Sequence, residues 1–325
     1  MFWFDFSWFF DSFLIFVLAF VIDLVIGEYP DRIHPTIGVG KLILFLKNKS
    51  KSPNPKIEKV NGVLMVLLIM LVFSLPVFFL LFFLRLLPYP FGELLYIVVG
   101  ALLFKATFAI SGMGQYTKPI ADALGRKDLV AARKWLPFIV RRDPNTLNER
   151  QIISAAVESI AESTTDGITA PFFFFALFGV PGAFAYRVVN TLDSMVGYRN
   201  EEYRNIGWFS AKLDTIANYI PARLTAYLIV VSAFLVGENW KESWHILQRD
   251  KNKTSSPNAG YTIGAMAGAL NTQLEKKGHY ILGDDHGLSS DHIPRALKIM
   301  TLTAALFGFI VVVPVFVLRV YIVAF

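Results

Sequence analysis

The chain has 325 residues, 54% of them hydrophobic and 17% charged, with a mean hydropathy of +0.50; soluble domains carry about a quarter charged residues, so an ordinary soluble globule is excluded. Lys and Arg number 31 against 25 Asp and Glu, a formal net charge of +6, yet the basic residues lie between apolar runs and not in one stripe, the pattern of membrane loops and not of a nucleic-acid surface. There is no cysteine, which removes disulfides, thiolate zinc sites and cysteine nucleophiles from consideration.

The expected fold is an all-α polytopic integral membrane protein, one membrane-embedded domain over residues 1–325. A hydrocarbon core of about 30 Å needs roughly 20 apolar helical residues, and Phe6 to Ile26, Gly62 to Leu84, Leu94 to Ile110 and Ile299 to Val320 meet that length. No Lys or Arg precedes the first of these, so it reads as a retained span and not as a cleaved signal. Ala170 to Tyr186 is interrupted by Pro171, Gly179, Pro181 and Gly182, and Tyr219 to Val236 starts with Pro221 and Arg223 nearby. Each of these two stretches either spans or enters as a broken element, and charge balance requires both to share one answer. Arg32, Lys41, Lys47, Lys49, Lys51, Lys56 and Lys59, and then the basic stretch from Lys118 to Arg150, set the main basic loops on the cytoplasmic side of a cell membrane. Lys47 to Lys59 reads as a flexible solvated loop.

The polar segments follow in chain order. Gly27 to Pro35, with His34, reads as an interfacial turn. Thr146 and Glu149 have capping-box spacing, predicting a helix that runs through Ala161. Glu158, Glu162 and Asp166 recur at steps of four and can face one way. Such a triplet is either a Mg²⁺ ligand set or a solvated acidic face paired with Arg141, Arg142 and Arg150. Tyr186 to Tyr198 sets many hydrogen-bonding side chains beside a membrane segment, which is costly unless they bind something. Arg187 and Arg223 suit phosphate or carboxylate clamps, although Arg223 at a helix end can simply reach for headgroups. Ser256 before Pro257 predicts a helix start with Ser256 as N-cap. Gly260, Gly264 and Gly268 then form a small-residue face for a close backbone or a flat ligand, and the first amides form a phosphate seat. Gly278 to His292 lacks any helical metal spacing and reads as a solvated loop.

Taken together, Gly27 to Pro35, Arg133, Arg142 to Pro171 with Ala156-Val157-Glu158-Ser159-Ile160-Ala161-Glu162, Tyr186 to Tyr198 with Asn190-Thr191-Leu192-Asp193-Ser194-Met195, Ala211 to Arg223, and Ser256 to Leu270 resemble the adenosylcobinamide-phosphate synthase family of cobalamin biosynthesis. The motif order is the family's. Departures are Ser163 where asparagine usually follows the glutamate, Thr215 where an Asp-Asp pair is common, and Arg141 to Thr146 in place of Gly-Arg-Asp-Thr.

The resemblance implies an ATP-dependent amide ligation that joins adenosylcobyric acid, a corrinoid, to aminopropanol phosphate, aminopropanol or an ethanolamine-type amine. It implies Mg²⁺ at Glu158, Glu162 and Asp166; substrate or ATP contacts from Arg142, Asn190, Thr191, Ser256, Asn258 and Gly260; and catalytic roles for Asp193, Asp214, Arg187 and Arg223. The lipid bilayer and companion enzymes of lower-ligand assembly are the expected partners, and nucleic acid is not. Two rivals remain, a membrane signalling protein of a related branch and a small-molecule transporter. The retained carboxylate and Asn-Thr-Leu-Asp runs weigh against the first. Polar motifs gathered at helix ends, with no inverted repeat, weigh against the second.

Overall fold

In a bilayer, backbone amides and carbonyls find partners only within a helix or a closed barrel. The computed structural model describes residues 2–30, 32–198 and 200–324, and they are mostly helical. In chain order the elements are α1 (Phe2–Ile26), α2 (Pro35–Lys49), α3 (Pro55–Arg85), α4 (Phe91–Lys105), α5 (Ile110–Gly125), α6 (Leu129–Trp135), α7 (Glu149–Thr164), α8 (Ala170–Val196), α9 (Trp208–Ala217), α10 (Tyr219–Val236), α11 (Trp240–Asp250), α12 (Ala259–Ala269), the strands β1 (Leu274–Lys276) and β2 (Tyr280–Leu282), α13 (His292–Phe307) and α14 (Val313–Ala324).

Among the described residues six helical stretches are long and apolar enough to cross a membrane: Phe9–Ile26, Pro55–Arg85, Phe91–Gly125, Glu149–Val196, Tyr219–Val236 and His292–Arg319. Both interrupted stretches are among them. Along α3, Leu64, Leu67, Leu71, Phe78, Phe82 and Phe83 are all exposed, an apolar surface that a soluble protein does not present to water. The chain is a multi-pass membrane protein. Within α8, Gly179 takes φ +68° and breaks the helix two residues before Pro181, whose ring has no N–H to give.

The loops are more ordered than expected. Residues 35–49 form α2 and α3 begins at Pro55, so only Ser50 to Asn54 remains as connection where a loop from Lys47 to Lys59 was expected. His34 caps α2, its Nδ1 accepting from the Thr36 N–H at 3.2 Å. Of the turn from Gly27 to Pro35, Asp31 lies outside the described residues, as does Arg199.

By compactness the chain forms two units. The first comprises Met1–Ala109, Ala170–Ala217 and Ile310–Phe325. Its core is aromatic, with Phe16, Phe104, Phe108, Phe172, Phe175 and Phe316 all buried and the rings of Phe104 and Phe175 stacked at 4.0 Å. Beside them Lys105 is fully enclosed, its Nζ 3.0 Å from Asp23, which is equally enclosed, and 3.2 Å from Glu28. Glu28 in turn receives the His34 Nε2–H at 3.0 Å. Burial opposes the charge on Glu28, but the His34 hydrogen bond and the Lys105 ammonium hold its carboxyl below the ordinary range.

The second unit comprises Ile110–Thr169 and Asn218–Phe309. Its helices are joined by small polar bonds, Ser232 to Thr303 at 2.9 Å and Thr169 to Thr225 at 2.5 Å, the kind of pairing that holds helices together in lipid. At the seam between α11 and α12 a Cβ on Gly260 would sit 2.2 Å from the Lys251 carbonyl oxygen, and one on Gly268 2.4 Å from that of Glu242. Of the two readings of this glycine face, close helix packing is the one observed.

Replacing Lys105 with alanine would leave the Asp23 carboxylate enclosed without its counter-charge, and breaking a buried pair from one side costs about 3–5 kcal/mol. Lys105→Ala should therefore lower the unfolding temperature in detergent sharply, and adding Asp23→Asn should recover part of the loss. No recovery in the double variant would mean that Lys105 contributes through packing and not through charge.

Candidate functional site

In the second unit the site grows from α7. The chain enters this helix through a capping box in which the Asn148 side chain accepts from the Gln151 N–H, and Gln151 accepts from the Asn148 N–H. The expected box of Thr146 and Glu149 is displaced because Asp143 and Pro144 first set a separate short turn, into which Thr146 is bonded through the Asp143 carbonyl at 2.8 Å. On α7, Glu158 is buried, and three donors converge on its carboxylate. Ser154 Oγ gives to Oε1 at 2.8 Å, Tyr280 Oη gives to Oε2 at 2.8 Å, and the Arg142 guanidinium pairs with Oε2. The Tyr280 phenol is pushed well above its ordinary range by burial and by the negative charges of Glu158 and Glu162, so it remains a donor to Glu158.

Tyr280 comes from an unexpected element. Residues 274–282 form an antiparallel hairpin with Lys276 opposite Tyr280, so the solvated loop expected over Gly278 to His292 begins instead with the hairpin's turn and second strand. Two anchors fix it. The Glu275 N–H gives to Ser154 Oγ at 2.8 Å, and the Gly283 N–H gives to Asp250 at 2.8 Å. The carboxyl of Asp250 is opposed by burial but held down at about 2 by Arg249, Lys253 and that amide. A sequence cue existed, since Gly278 lies between two short runs whose outer residues, Leu274 and Leu282, are apolar. It was weak because each strand is only three residues long.

Glu162 and Asp166 follow Glu158 along the chain, Asp166 within the widened helical turn Thr165–Thr169. That turn ends the regular four-residue spacing. Among the described residues no three His, Cys, Asp or Glu side chains gather closely enough to hold a metal ion by themselves; of the three predicted carboxylates, Glu158 is taken up by Arg142, Ser154 and Tyr280.

Arg223 and Asn258 do meet. The Arg223 guanidinium lies 3.4 Å from the ring centre of Tyr219 and 4.4 Å from that of Tyr261, a cation–π sandwich. One of its nitrogens gives to Asn258 Oδ1 at 3.3 Å. Arg223 is thus held by aromatic rings and does not simply reach for headgroups. Helix α12 starts at Ala259 with Asn258 as its N-cap, two residues later than the Ser256 cap expected. Ser256 Oγ still accepts from the Ala259 N–H at 3.3 Å, and Gly260 faces the end of α11.

In the first unit α8 carries Arg187, Asn190, Thr191 and Asp193 beyond its kink, and α9 carries Asp214. Arg187 gives to Asn190 Oδ1 at 3.5 Å, Asn190 Nδ2 gives to Asp214 Oδ1 at 3.3 Å, and Thr191 Oγ1 gives to the Arg187 carbonyl at 2.7 Å. Residues 24 positions apart therefore form one relay of cation, amide and carboxylate, able to orient an anion and to accept a proton. Asp193 lies against Gly197, where a Cβ would fall 1.9 Å from its Oδ1.

Comparison with known proteins adds the following. A profile of the CobD/Cbib protein family matches residues 16–309. The "Probable cobalamin biosynthesis protein CobD" of Methanothermobacter thermautotrophicus is 41% identical over 304 residues, covering 92% of this chain and 98% of that protein. The "Cobalamin biosynthesis protein CobD" of Dehalococcoides mccartyi is 44% identical over 272 residues, 84% of this chain and 87% of that one. A protein of the same name from Leptospira interrogans is 42% identical over 258 residues, 79% and 80%. No solved structure matches the chain.

The Asp250 anchor carries a pH signature. Its carboxyl sits at about 2 in the fold against an ordinary 3.8, so the stabilisation it gives is fully present above about pH 5 and is lost as pH falls through 3.8 toward 2. Its size is about 1–2 kcal/mol, discounted because the Arg249 and Lys253 partners are partly solvated. Asp250→Asn should unfold at a lower temperature than the unaltered protein at pH 7, and the gap should narrow to about half by pH 3 and close only toward pH 2. A gap that stays constant across that range rules out the charge as its source.

Proposed function

The chain belongs to the CobD/Cbib protein family, and from that premise we propose that this membrane protein of cobalamin biosynthesis forms the amide between the free propionate carboxylate of adenosylcobyric acid and aminopropanol, phosphorylated or free, at the expense of ATP. The observation that carries the reading is the family match over residues 16–309. It spans every polar cluster described above.

An amine does not displace oxide from a carboxylate, so the acid must first be activated. In the proposed reaction a carboxylate oxygen attacks the γ-phosphorus of ATP and ADP departs, leaving an acyl phosphate. The amine nitrogen then attacks the acyl carbon, the carbon–oxygen bond to phosphate breaks, and the nitrogen gives up a proton. Mg²⁺ is part of the substrate as MgATP and neutralises phosphate charge. Glu162 and Asp166 are the acidic side chains proposed to lie nearest it, Glu158 being engaged by Arg142, Ser154 and Tyr280.

Arg142, Arg187 and Arg223 are proposed to hold phosphate or carboxylate oxygens through their planar forks. Each is already oriented by a neighbour: Arg142 by Glu158, Arg187 by Asn190 and Arg223 by its two tyrosine rings. Such fixed cations stabilise developing negative charge with little reorganisation. Asn190, Thr191, Ser256 and Asn258 supply neutral hydrogen bonds, with Gly260 setting where α12 begins against α11. Asp214, oriented by Asn190, or Asp193 takes the proton from the attacking amine. The basic loops are proposed to face the cytoplasm, where ATP is supplied.

The test is product formation by mass spectrometry, with detergent-purified protein, adenosylcobyric acid, MgATP and either form of the amine. The expected product is a corrinoid heavier by the amide-linked arm, absent when ATP or amine is omitted. Asp214→Ala and Arg142→Ala should each lower kcat/KM by about a hundredfold or more, the usual scale for a lost base or electrostatic contact. No product from folded protein with both amines would overturn the reading.

A further inference from the structure

The hairpin turn brings Lys276 and Lys277, which have no role in the ligation as proposed above, beside Arg142. A cavity of about 320 Å³ opens beside α7, lined by Arg142, Gln151, Glu275, Lys276, Lys277 and His279 among others. The lining holds three cations and the Glu275 carboxylate, and the carboxylates of Glu158 and Glu162 act on two of the three. Arg142 is paired with Glu158, and Lys276 lies in the field of Glu162, yet neither Lys276 nor Lys277 makes an ion pair among the described residues.

The wall is also held in place. Glu275 on β1 is bonded to Ser154 at 2.8 Å, and Tyr280 on β2 to Glu158 at 2.8 Å. Between these fixed points Gly278, at φ +76°, lets the chain reverse in three residues. Lys276, Lys277 and His279 are therefore carried on a pinned turn, whose backbone has less freedom to lose on binding than that of a loose loop. The volume is at the small end for ligand pockets. It admits a phosphate ester of a few carbons, or the phosphate chain of a nucleotide, and is far too small for a corrin.

We propose that this hairpin pocket binds a phosphate group of a small substrate, with Lys276 and Lys277 as its principal contacts and His279 at its rim. The two phosphate-bearing candidates, ATP and the phosphorylated amine, follow from the ligase reading, on which the choice of probes rests; the readout does not depend on turnover.

The experiment is calorimetric titration of the full-length protein in detergent with MgATP, with aminopropanol phosphate and with free aminopropanol, for the unaltered chain, Lys276→Gln/Lys277→Gln and His279→Gln. All three proteins should keep the same unfolding temperature. The double variant should bind one phosphate compound at least about tenfold more weakly, with a shallower dependence on salt, and which compound loses affinity identifies the source. His279→Gln should weaken the same compound less, and affinity for the free amine should not change. Equal affinities for both phosphate compounds in the unaltered and double-variant proteins would overturn the proposal, as would no binding of either by folded protein. If phosphate binding depends on the lysines but no amide forms, the ligase reading falls and the pocket stands. If amide forms while the lysine changes leave both phosphate affinities unaltered, the pocket falls and the ligase reading stands.

Discussion

Lys105 ends α4 with no solvent contact, its ammonium between the carboxylates of Asp23 and Glu28 at 3.0 and 3.2 Å. Ionised groups are tolerated in an apolar interior only when paired and hydrogen-bonded, so this arrangement dictates where three elements of the first unit meet. Asp23 fixes the end of α1, Glu28 fixes the turn that follows, and His34, bonded to Glu28 at 3.0 Å, starts α2. The aromatic cluster around Phe104 fills the space beside it but does not choose that register, since apolar contacts are not directional. The charge pair is what makes one arrangement of these segments better than its neighbours.

The second unit solves a similar problem around a carboxylate. Glu158 is surrounded by Arg142, Ser154 and Tyr280, drawn from the segment before α7, from α7 itself and from the hairpin. Charge-assisted hydrogen bonds of this kind are about twice as strong as neutral ones. They draw together segments more than a hundred residues apart in sequence. A carboxylate that looks like a metal ligand in sequence thus serves as the hub that positions an arginine. The relay of Arg187, Asn190 and Asp214 in the first unit follows the same principle, an amide standing between a cation and an acid.

Much of this was legible in the chain. Long apolar runs specify membrane helices because the bilayer leaves the backbone no alternative, and the break in α8 falls at Gly179, among the residues expected to interrupt it. The Asn190 and Asp214 segments stood out because polar side chains at such positions are costly unless used. What failed was local punctuation. Thr146 and Asn148 both offer caps, and the choice went to the residue left after Asp143 and Pro144 had formed their own turn. The hairpin was missed because strands of three residues carry too little alternation to register, and its stability comes from Ser154, Glu158 and Asp250, partners that no local window contains. The lysine-rich segment of α2 looked like loop because its helix is held by tertiary contacts and by a histidine cap, with mixed intrinsic preferences.

Gly260 and Gly268 act as a gauge block for everything beyond them. The Lys251 and Glu242 carbonyl oxygens stand 2.2 and 2.4 Å from where a side chain would begin, so even a methyl group at either position must shove α11 bodily away from α12. Asp250, at the end of α11, grips the amide of Gly283, the next residue after β2, and β2 delivers Tyr280 to Glu158. The clearance at one helix seam is thereby passed hand to hand to the bearing of Arg142. A change of a single methyl group, made more than a hundred residues along the chain from Arg142 and Glu158, would be felt as a misaimed guanidinium.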